Sequence, residues 1–479
     1  MKRLSGVLLL MLWGCAGAPQ PAGSSKPVEL PSQVGQAPRN IAPTTLPTKD
    51  VLLVGATVMP VSGESIKNGS VLLQGGKITA VSAKAIEAPE GVEVIDVKGK
   101  YITPGIIDTH SHLGVYASPH VNAHSDGNEA TGATTGQVNA INGIWPQDPG
   151  FYKALTGGVT TQMVIPGSAN LIGGRGVTLK SHPGISARAM VYEGAPVGLK
   201  MACGENPKRV YGGRGRMPST RMGSMAVWKA TFQRAVEYRR GLEKHAQAMQ
   251  KWEDDPNRDP NKPPAPPKRN HEMDTLVAVM DGDILVHVHC YRADEMLQLL
   301  ELADEFGFKI RSFHHAVEAY KIRDVLASWD VSVSTWADWW GFKMEAHDAI
   351  LENAALLHTA GARAIIHSDS EIGIQRLNQE AAKAYYAGLE AGLKLTETDA
   401  LKWITLNAAW ALGIDHLTGT LDAGKAADVV VWSRHPLSVY AKAEMVFVDG
   451  VLEYDSAKGA QPWSDFEVSG DTQRKEAAQ

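Results

Sequence analysis

The segment Tyr101-Ile-Thr-Pro-Gly-Ile-Ile-Asp-Thr-His110-Ser-His112 is an apolar run that ends in two histidines one residue apart. Pro104 and Gly105 punctuate its start, and Ile106 and Ile107 point to a buried strand. Alternate side chains on a strand share a face, so His110 and His112 project the same way. Two imidazoles at that spacing can grip one divalent metal.

Before this segment the chain holds short β runs separated by glycine-bearing turns: Val51-Leu-Leu-Val, Ser70-Val-Leu-Leu, Lys77-Ile-Thr-Ala-Val and Val92-Glu-Val-Ile-Asp-Val. A matching set, Asp428-Val-Val-Val-Trp432 and Met445-Val-Phe-Val-Asp-Gly-Val-Leu452, lies near the other end. Neither set makes a good core alone, so residues 50–104 and 416–457 are expected to join into one small β-sandwich. Between them, 105–415 alternates strand-like runs with amphipathic helices. That alternation implies a parallel sheet, and the length suits a (β/α)8 TIM-like barrel, an α/β fold with its chemistry at the carboxyl ends of the strands. Residues 225–275 interrupt it with a long helical run, Met225 to Glu253, and a proline-rich stretch that cannot be helix interior. This reads as a surface insertion. Residues 458–479 read as a polar tail.

The chain has 479 residues, 44% of them hydrophobic, and a net charge of −5. That composition fits a globular protein and, without a basic stripe, argues against nucleic acid as a partner. Met1-Lys-Arg is followed by an apolar run ending Leu12-Trp13-Gly14-Cys15, too short to span a bilayer as a mature helix. This start resembles a bacterial lipobox: residues 1–15 would be a lipoprotein signal peptide, with Cys15 as the lipidated residue. The resemblance implies a membrane lipid anchor in the bacterial cell envelope, on the outer-membrane side because Ala16 is not Asp. Residues 16–49, rich in Pro, Ser, Gly and Ala, would form a flexible tether. Cys203 and Cys290 could pair in an oxidising compartment, but two buried thiols are the expected state.

Histidines and acids recur at the expected strand ends: His110 and His112, Glu205, His287 and His289, His314 and His315, and Asp369. Converging N and O ligands with an open position for water are what a hydrolytic metal requires. His120, His124, His182 and His347 read as loop histidines.

Gly105-Ile-Ile-Asp-Thr-His-Ser-His112, Gly157-Gly-Val-Thr-Thr161, His287-Val-His289, His315-Ala-Val-Glu318, His367-Ser-Asp369 and Gly419-Thr-Leu-Asp-Ala-Gly-Lys-Ala-Ala-Asp-Val-Val-Val431 occur in this order. In that set the chain resembles the metal-dependent amidohydrolase superfamily, in its imidazolonepropionase-like and prolidase-like branch, over about 50–455. The resemblance implies His110, His112, His315 and Asp369 as metal ligands, with Asp369 also shuttling the proton. Its fifth-strand pattern points to His287 as a ligand, with His289 nearer the substrate. His289 or His314 would steady the oxyanion. For the fourth-strand group the candidates are Lys200, which many relatives carbamylate, and Glu205. Glu205 is preferred because it lies at the carboxyl end and is already anionic. The implied cofactor is one or two divalent metals, zinc by expectation. The implied reaction is hydrolysis of a C–N bond in a cyclic amide, small peptide or N-acyl amino acid. An ester or lactone is the alternative reaction, and a non-catalytic binding lipoprotein the alternative class. Asn170, Arg175, Arg209 and Tyr211 are candidate substrate contacts. The expected partner is a small molecule, and relatives often form homo-oligomers.

Overall fold

The structure, a computed structural model, describes residues 34–36 and 48–458. Cys15, most of the 16–49 tether and residues 459–479 of the tail lie outside the described residues.

The amino-terminal strands are β1 (Val51–Val58), β2 (Ile66–Gln74), β3 (Lys77–Ser82), β4 (Glu93–Asp96) and β5 (Tyr101–Pro104). The barrel strands are β6 (Ile106–Ser111), β7 (Val159–Val164), β8 (Ile172–Lys180), β9 (Gly198–Ala202), β10 (Leu285–Cys290), β11 (Ile310–His315), β12 (Ser332–Thr335) and β13 (Arg363–Ile366). Then β14 (Val429–Trp432), β15 (Ala443–Val448) and β16 (Val451–Asp455) return to the first set. Both flanking segments build one mixed sheet, ordered β16-β15-β14-β5-β1-β2-β3, with β4 also on β1. It closes over a core of its own that includes Leu53, Val71, Ile78, Val429 and Phe447. The pairing of β5 with β14 joins residues more than 300 positions apart through the register Ile102↔Val431.

The second sheet runs β6 to β13 in chain order. Its open ends meet through the main chain: Asp369 N donates to His110 O at 3.0 Å, and Ile107 N to Ile404 O at 2.9 Å. The result is the expected eight-strand TIM-like near-barrel, with one departure. β8 runs antiparallel to both β7 and β9. The link 165–171 is too short for the crossover of a dozen or more residues that a parallel partner needs, so the chain turns straight back.

Gly105 is the pivot between sheet and barrel. Its N–H donates to Asp428 O at 2.9 Å. A Cβ there would lie 2.7 Å from the Cβ of Thr160, a branched side chain that cannot swing away. A second seam is ionic. At the end of β8, Lys180 pairs with Asp428 and Asp449, while His182 Nδ1 lies 2.6 Å from Glu453 and Nε2 3.4 Å from Asp449. His182, in the loop after β8, is therefore a buried link between barrel and sheet.

The helices on the barrel are α1 (Pro149–Thr156), α2 (Glu205–Gly212), α3 (Arg221–Asp254), α4 (His271–Asp281), α5 (Ala293–Phe306), α6 (Arg323–Ser328), α7 (Asn353–Thr359), α8 (Leu377–Glu390), α9 (Glu397–Lys402) and α10 (Leu406–Ala411). The insertion is α3 followed by a stretch without helix or strand and then α4. Only the first part of α3 is buried, through Trp228, Thr231, Phe232 and Ala235. Phe232 stacks on Phe308 with ring centroids 4.5 Å apart. Among the described residues no helix is long and apolar enough to cross a membrane.

The expectation of two free thiols is overturned: Cys203 and Cys290 form a disulfide. They end neighbouring parallel strands, where Cys203 N donates to His289 O at 2.8 Å. Their Cα atoms are thereby 5.1 Å apart, within bridging range. Their separation of 87 positions hides this proximity in the sequence.

Candidate metal centre

β6 delivers His110 at its carboxyl end and His112 just beyond. Alternation turns both into the barrel. His110 Nε2 lies 3.3 Å from His112 Nε2 and 3.3 Å from Asp369 Oδ1, and His112 Nε2 lies 3.1 Å from that same oxygen. His112 Nδ1–H donates to Ile165 O at 2.8 Å, which leaves Nε2 with its lone pair toward the cluster. A second set of convergent donors is His110, His315 and His367, all buried.

β11 shows how two adjacent histidines both reach the interior. His314 faces inward by strand alternation. His315 then takes φ +67° and Ala316 φ +40°. This left-handed turn ends the strand and rotates the His315 ring to 4.8 Å from His110 and 4.5 Å from His289. Asp369 has φ +51°, and its backbone N–H is held by His110 O.

The fourth-strand preference is corrected. Lys200, not Glu205, lies beside the cluster: it is fully buried, and its Nζ is 3.2 Å from His110 Nε2. β9 stops at Ala202, and Gly204, at φ +81°, begins a turn that makes Glu205 the first residue of α2. The Glu205 carboxylate lies 3.7 Å from Lys343 Nζ. Burial pushes the Lys200 amine down to about 7.

The two fifth-strand histidines are placed in different layers. His287 and His289 share a face, but His289 is one layer nearer the carboxyl end, beside His315. His287 lies deeper, with Nδ1 2.9 Å from His314 Nε2. His314 Nδ1 is in turn 2.9 Å from His110 Nδ1. His314 thus sits below His110 and does not face the cavity, so it is not placed to steady an oxyanion. His289 faces the cluster as a donor.

These imidazoles are neutral. Burial, followed by the charges of neighbours such as Lys200 and Lys343, holds His110, His289, His314 and His315 well below the usual histidine range. Burial likewise lowers His287 and His367 to about 3. For Asp369, burial pushes the carboxyl up, but hydrogen bonding and charge from His112 bring it below its ordinary value. Both nitrogens of His289, Nδ1 of His315 and Nδ1 of His367 are buried without a hydrogen-bond partner. Unpaired buried imidazole nitrogens around an anionic carboxylate are costly alone and fit a divalent cation.

A cavity of about 400 Å³ opens over His112 and Asp369, walled by Tyr116, His120, His124 and Glu371. The substrate contacts expected from sequence lie elsewhere. Asn170 donates to the carbonyls of Glu129 and Gly132, and the Tyr211 hydroxyl donates to Gly132, so these two brace a loop. Arg175 donates to Val34 and Gln137 carbonyls. Arg209 is on an exposed face of α2. His367 and Lys200 join the cluster, and His120 and His124, expected in loops, wall the cavity over it. The signal for His367 was its place two residues before Asp369.

The sequence profile described as the Amidohydrolase family matches residues 348–453. An amidohydrolase crystal structure from Thermotoga maritima MSB8 is 36% identical with a TM-score of 0.74, covering 85% of this chain and 100% of that one. Amidohydrolase tasK of Hapsidospora irregularis is 33% identical over 412 residues, 81% of this chain but 40% of its own length. This chain thus spans less than half of that relative. A 5-methylthioadenosine/S-adenosylhomocysteine deaminase of Symbiobacterium thermophilum is 25% identical over 80% of this chain and 84% of that protein. With the Thermotoga chain covered over its full length at 36% identity, this chain belongs to the amidohydrolase family.

Proposed function

We propose that the protein is a metal-dependent hydrolase that cleaves the C–N bond of a small amide, namely a cyclic amide, a short peptide or an N-acyl amino acid. The observation that carries this reading is the set of neutral, unpaired imidazole nitrogens gathered around Asp369 and Lys200. His110, His112 and Asp369 would hold one divalent ion; His289, His315 and His367, with His110, supply donors for a second. Zinc suits this N/O donor set. When bound, such metals lower the pKa of a water to about 7 and polarise a carbonyl.

Lys200 fits a bridging role. With its amine at about 7, a large neutral fraction exists at neutral pH. The nitrogen lone pair can add to carbon dioxide, lose one proton to solvent and become an anionic carbamate. Asp369 does the proton work. Its Oδ1 faces His112, and its Oδ2, 3.9 Å from His315 Nδ1, accepts the proton of the attacking water. The carboxyl then returns that proton to the leaving nitrogen, which departs as an amine in place of an amide anion.

The proposal extends to place: an envelope lipoprotein anchored through Cys15. The disulfide supports it, because such bonds persist in oxidising compartments. Replacing Cys15 by Ser is expected to release the protein from membranes; continued retention would count against the anchor.

The test is elemental analysis of the chain starting after Cys15, expressed with zinc and bicarbonate, then a screen of dipeptides, N-acyl amino acids and lactones. Two equivalents of zinc with amide turnover are expected. A folded sample without metal sinks the reading, and turnover of lactones alone transfers it to ester hydrolysis.

A further inference from the structure

Below the candidate metal ligands the barrel interior is polar, and three imidazoles stand in line there. His110 Nδ1 is 2.9 Å from His314 Nδ1, and His314 Nε2 is 2.9 Å from His287 Nδ1. All three side chains are buried. Among the described residues no carboxylate or carbonyl accepts from His110 Nδ1, whereas the neighbouring His112 has the fixed acceptor Ile165 O. We propose that His314 and His287 are positioning residues, a directional relay of hydrogen bonds that sets which nitrogen of His110 is offered to a metal.

The argument is a proton count. A neutral imidazole has one N–H donor and one lone-pair acceptor. Each of the two contacts holds a single proton, so the line can be ordered in only two ways. In the forward order His110 donates from Nδ1 to His314 Nδ1, and His314 donates from Nε2 to His287 Nδ1. His287 then carries its proton on Nε2, and His110 Nε2 is a bare lone pair facing Lys200, His112 and Asp369. In the reverse order His287 donates from Nδ1, His314 donates from Nδ1, and His110 carries its proton on Nε2, where it blocks coordination. A mixed order leaves two protons, or none, in one short contact. The orientation of His110 is thus coupled to His287, two imidazoles away.

The far end is consistent with a two-way element. His287 Nε2 is buried and has no hydrogen-bond partner among the described residues, so no fixed acceptor or donor there forces one order. A divalent ion on His110 Nε2 selects the forward order. The relay holds it by accepting the Nδ1 proton, the service a carboxylate or carbonyl performs for most metal-bound histidines.

This inference rests on His110 being a metal ligand, and the experiment separates the two. Histidine-15N-labelled protein is compared as the zinc-loaded form and after chelation, by long-range proton–nitrogen correlation. With zinc, His314 and His287 should both be protonated on Nε2, and His110 on Nδ1. Failure to bind zinc overturns the metal reading itself. Zinc binding with His314 protonated on Nδ1, or with a doubly protonated imidazole in the line, overturns only the relay. Substitution gives a second readout, by zinc competition with a chromogenic chelator. His314→Asn keeps a polar atom near the Nδ1 position and should stay close to wild-type affinity. His314→Gln keeps one near Nε2 and should lose affinity about 10- to 100-fold, as should His314→Phe. Equal affinity of the Asn and Gln variants, both folded by circular dichroism, would overturn the proposal. If neither folds, the tautomers of the unmodified protein decide.

Discussion

At His315 and Asp369 the backbone takes left-handed φ values that non-glycine residues usually avoid. Such conformations cost about 1–3 kcal/mol each and persist where the surroundings over-determine them. Here both place a donor toward the same cluster. Lys200 makes a related point, since a buried amine is tolerated only with a chemical purpose or a partner. The bridging role predicts that Lys200→Ala loses at least one equivalent of zinc and lowers turnover on the order of 10²-fold. Glu205→Gln should leave metal content unchanged, since that carboxylate faces Lys343. Elemental analysis of the two variants checks both, and loss of zinc from the Glu205 variant alone would reverse the assignment. Parity along β9 already said that Lys200 and Glu205 could not share a face. Which of them faced inward depended on where the strand stopped, and Gly204 stops it before Glu205.

Among elements, β9 and β10 matter most to the site. One carries Lys200 and the other His289, and the disulfide ties their ends. The bridge closes a loop of 87 residues, so it removes substantial entropy from the unfolded chain. A Cys203→Ser/Cys290→Ser double variant is expected to be less stable by about 2–5 kcal/mol. A thermal melt with and without reductant is the check: reductant should lower the wild-type Tm and leave that of the double variant unmoved. The strands, the insertion helix and the return of the carboxyl-terminal strands are legible from periodicity alone. The reversal of β8 is not, because a strand's pattern carries no direction, and direction follows from the length of the link that precedes it.

At the scale of the whole molecule, the seam between barrel and sheet should respond to pH. Burial alone would lower the His182 pKa, but hydrogen bonds and charge from Asp449 and Glu453 raise it to about 9. A folded-state pKa above the unfolded one of about 6.5 stabilises the fold fully below pH 6.5. That stability is lost as pH rises through about 9, and amounts to about 3 kcal/mol at 1.36 kcal/mol per pH unit. His182→Gln should therefore lower Tm at pH 6 and approach wild type near pH 10. A constant difference between the two across that range would remove His182 as the linking charge.

What the sequence by itself determined was the set of elements and their order: the strand ending in His110 and His112, the alternation behind the barrel, and two flanking groups of strands too small to stand alone. These follow from local patterns of polarity, which a chain carries at every position. Only the tertiary structure decided that Lys200 and not Glu205 faced inward, and which layer of the barrel His287 and His289 each occupied. It also decided that Cys203 meets Cys290 and that His314 supports His110 from below. Each of those depends on where a strand ends and on which distant strand lies beside it. Those are relations among segments, set by the closure of the barrel, and no local pattern contains them.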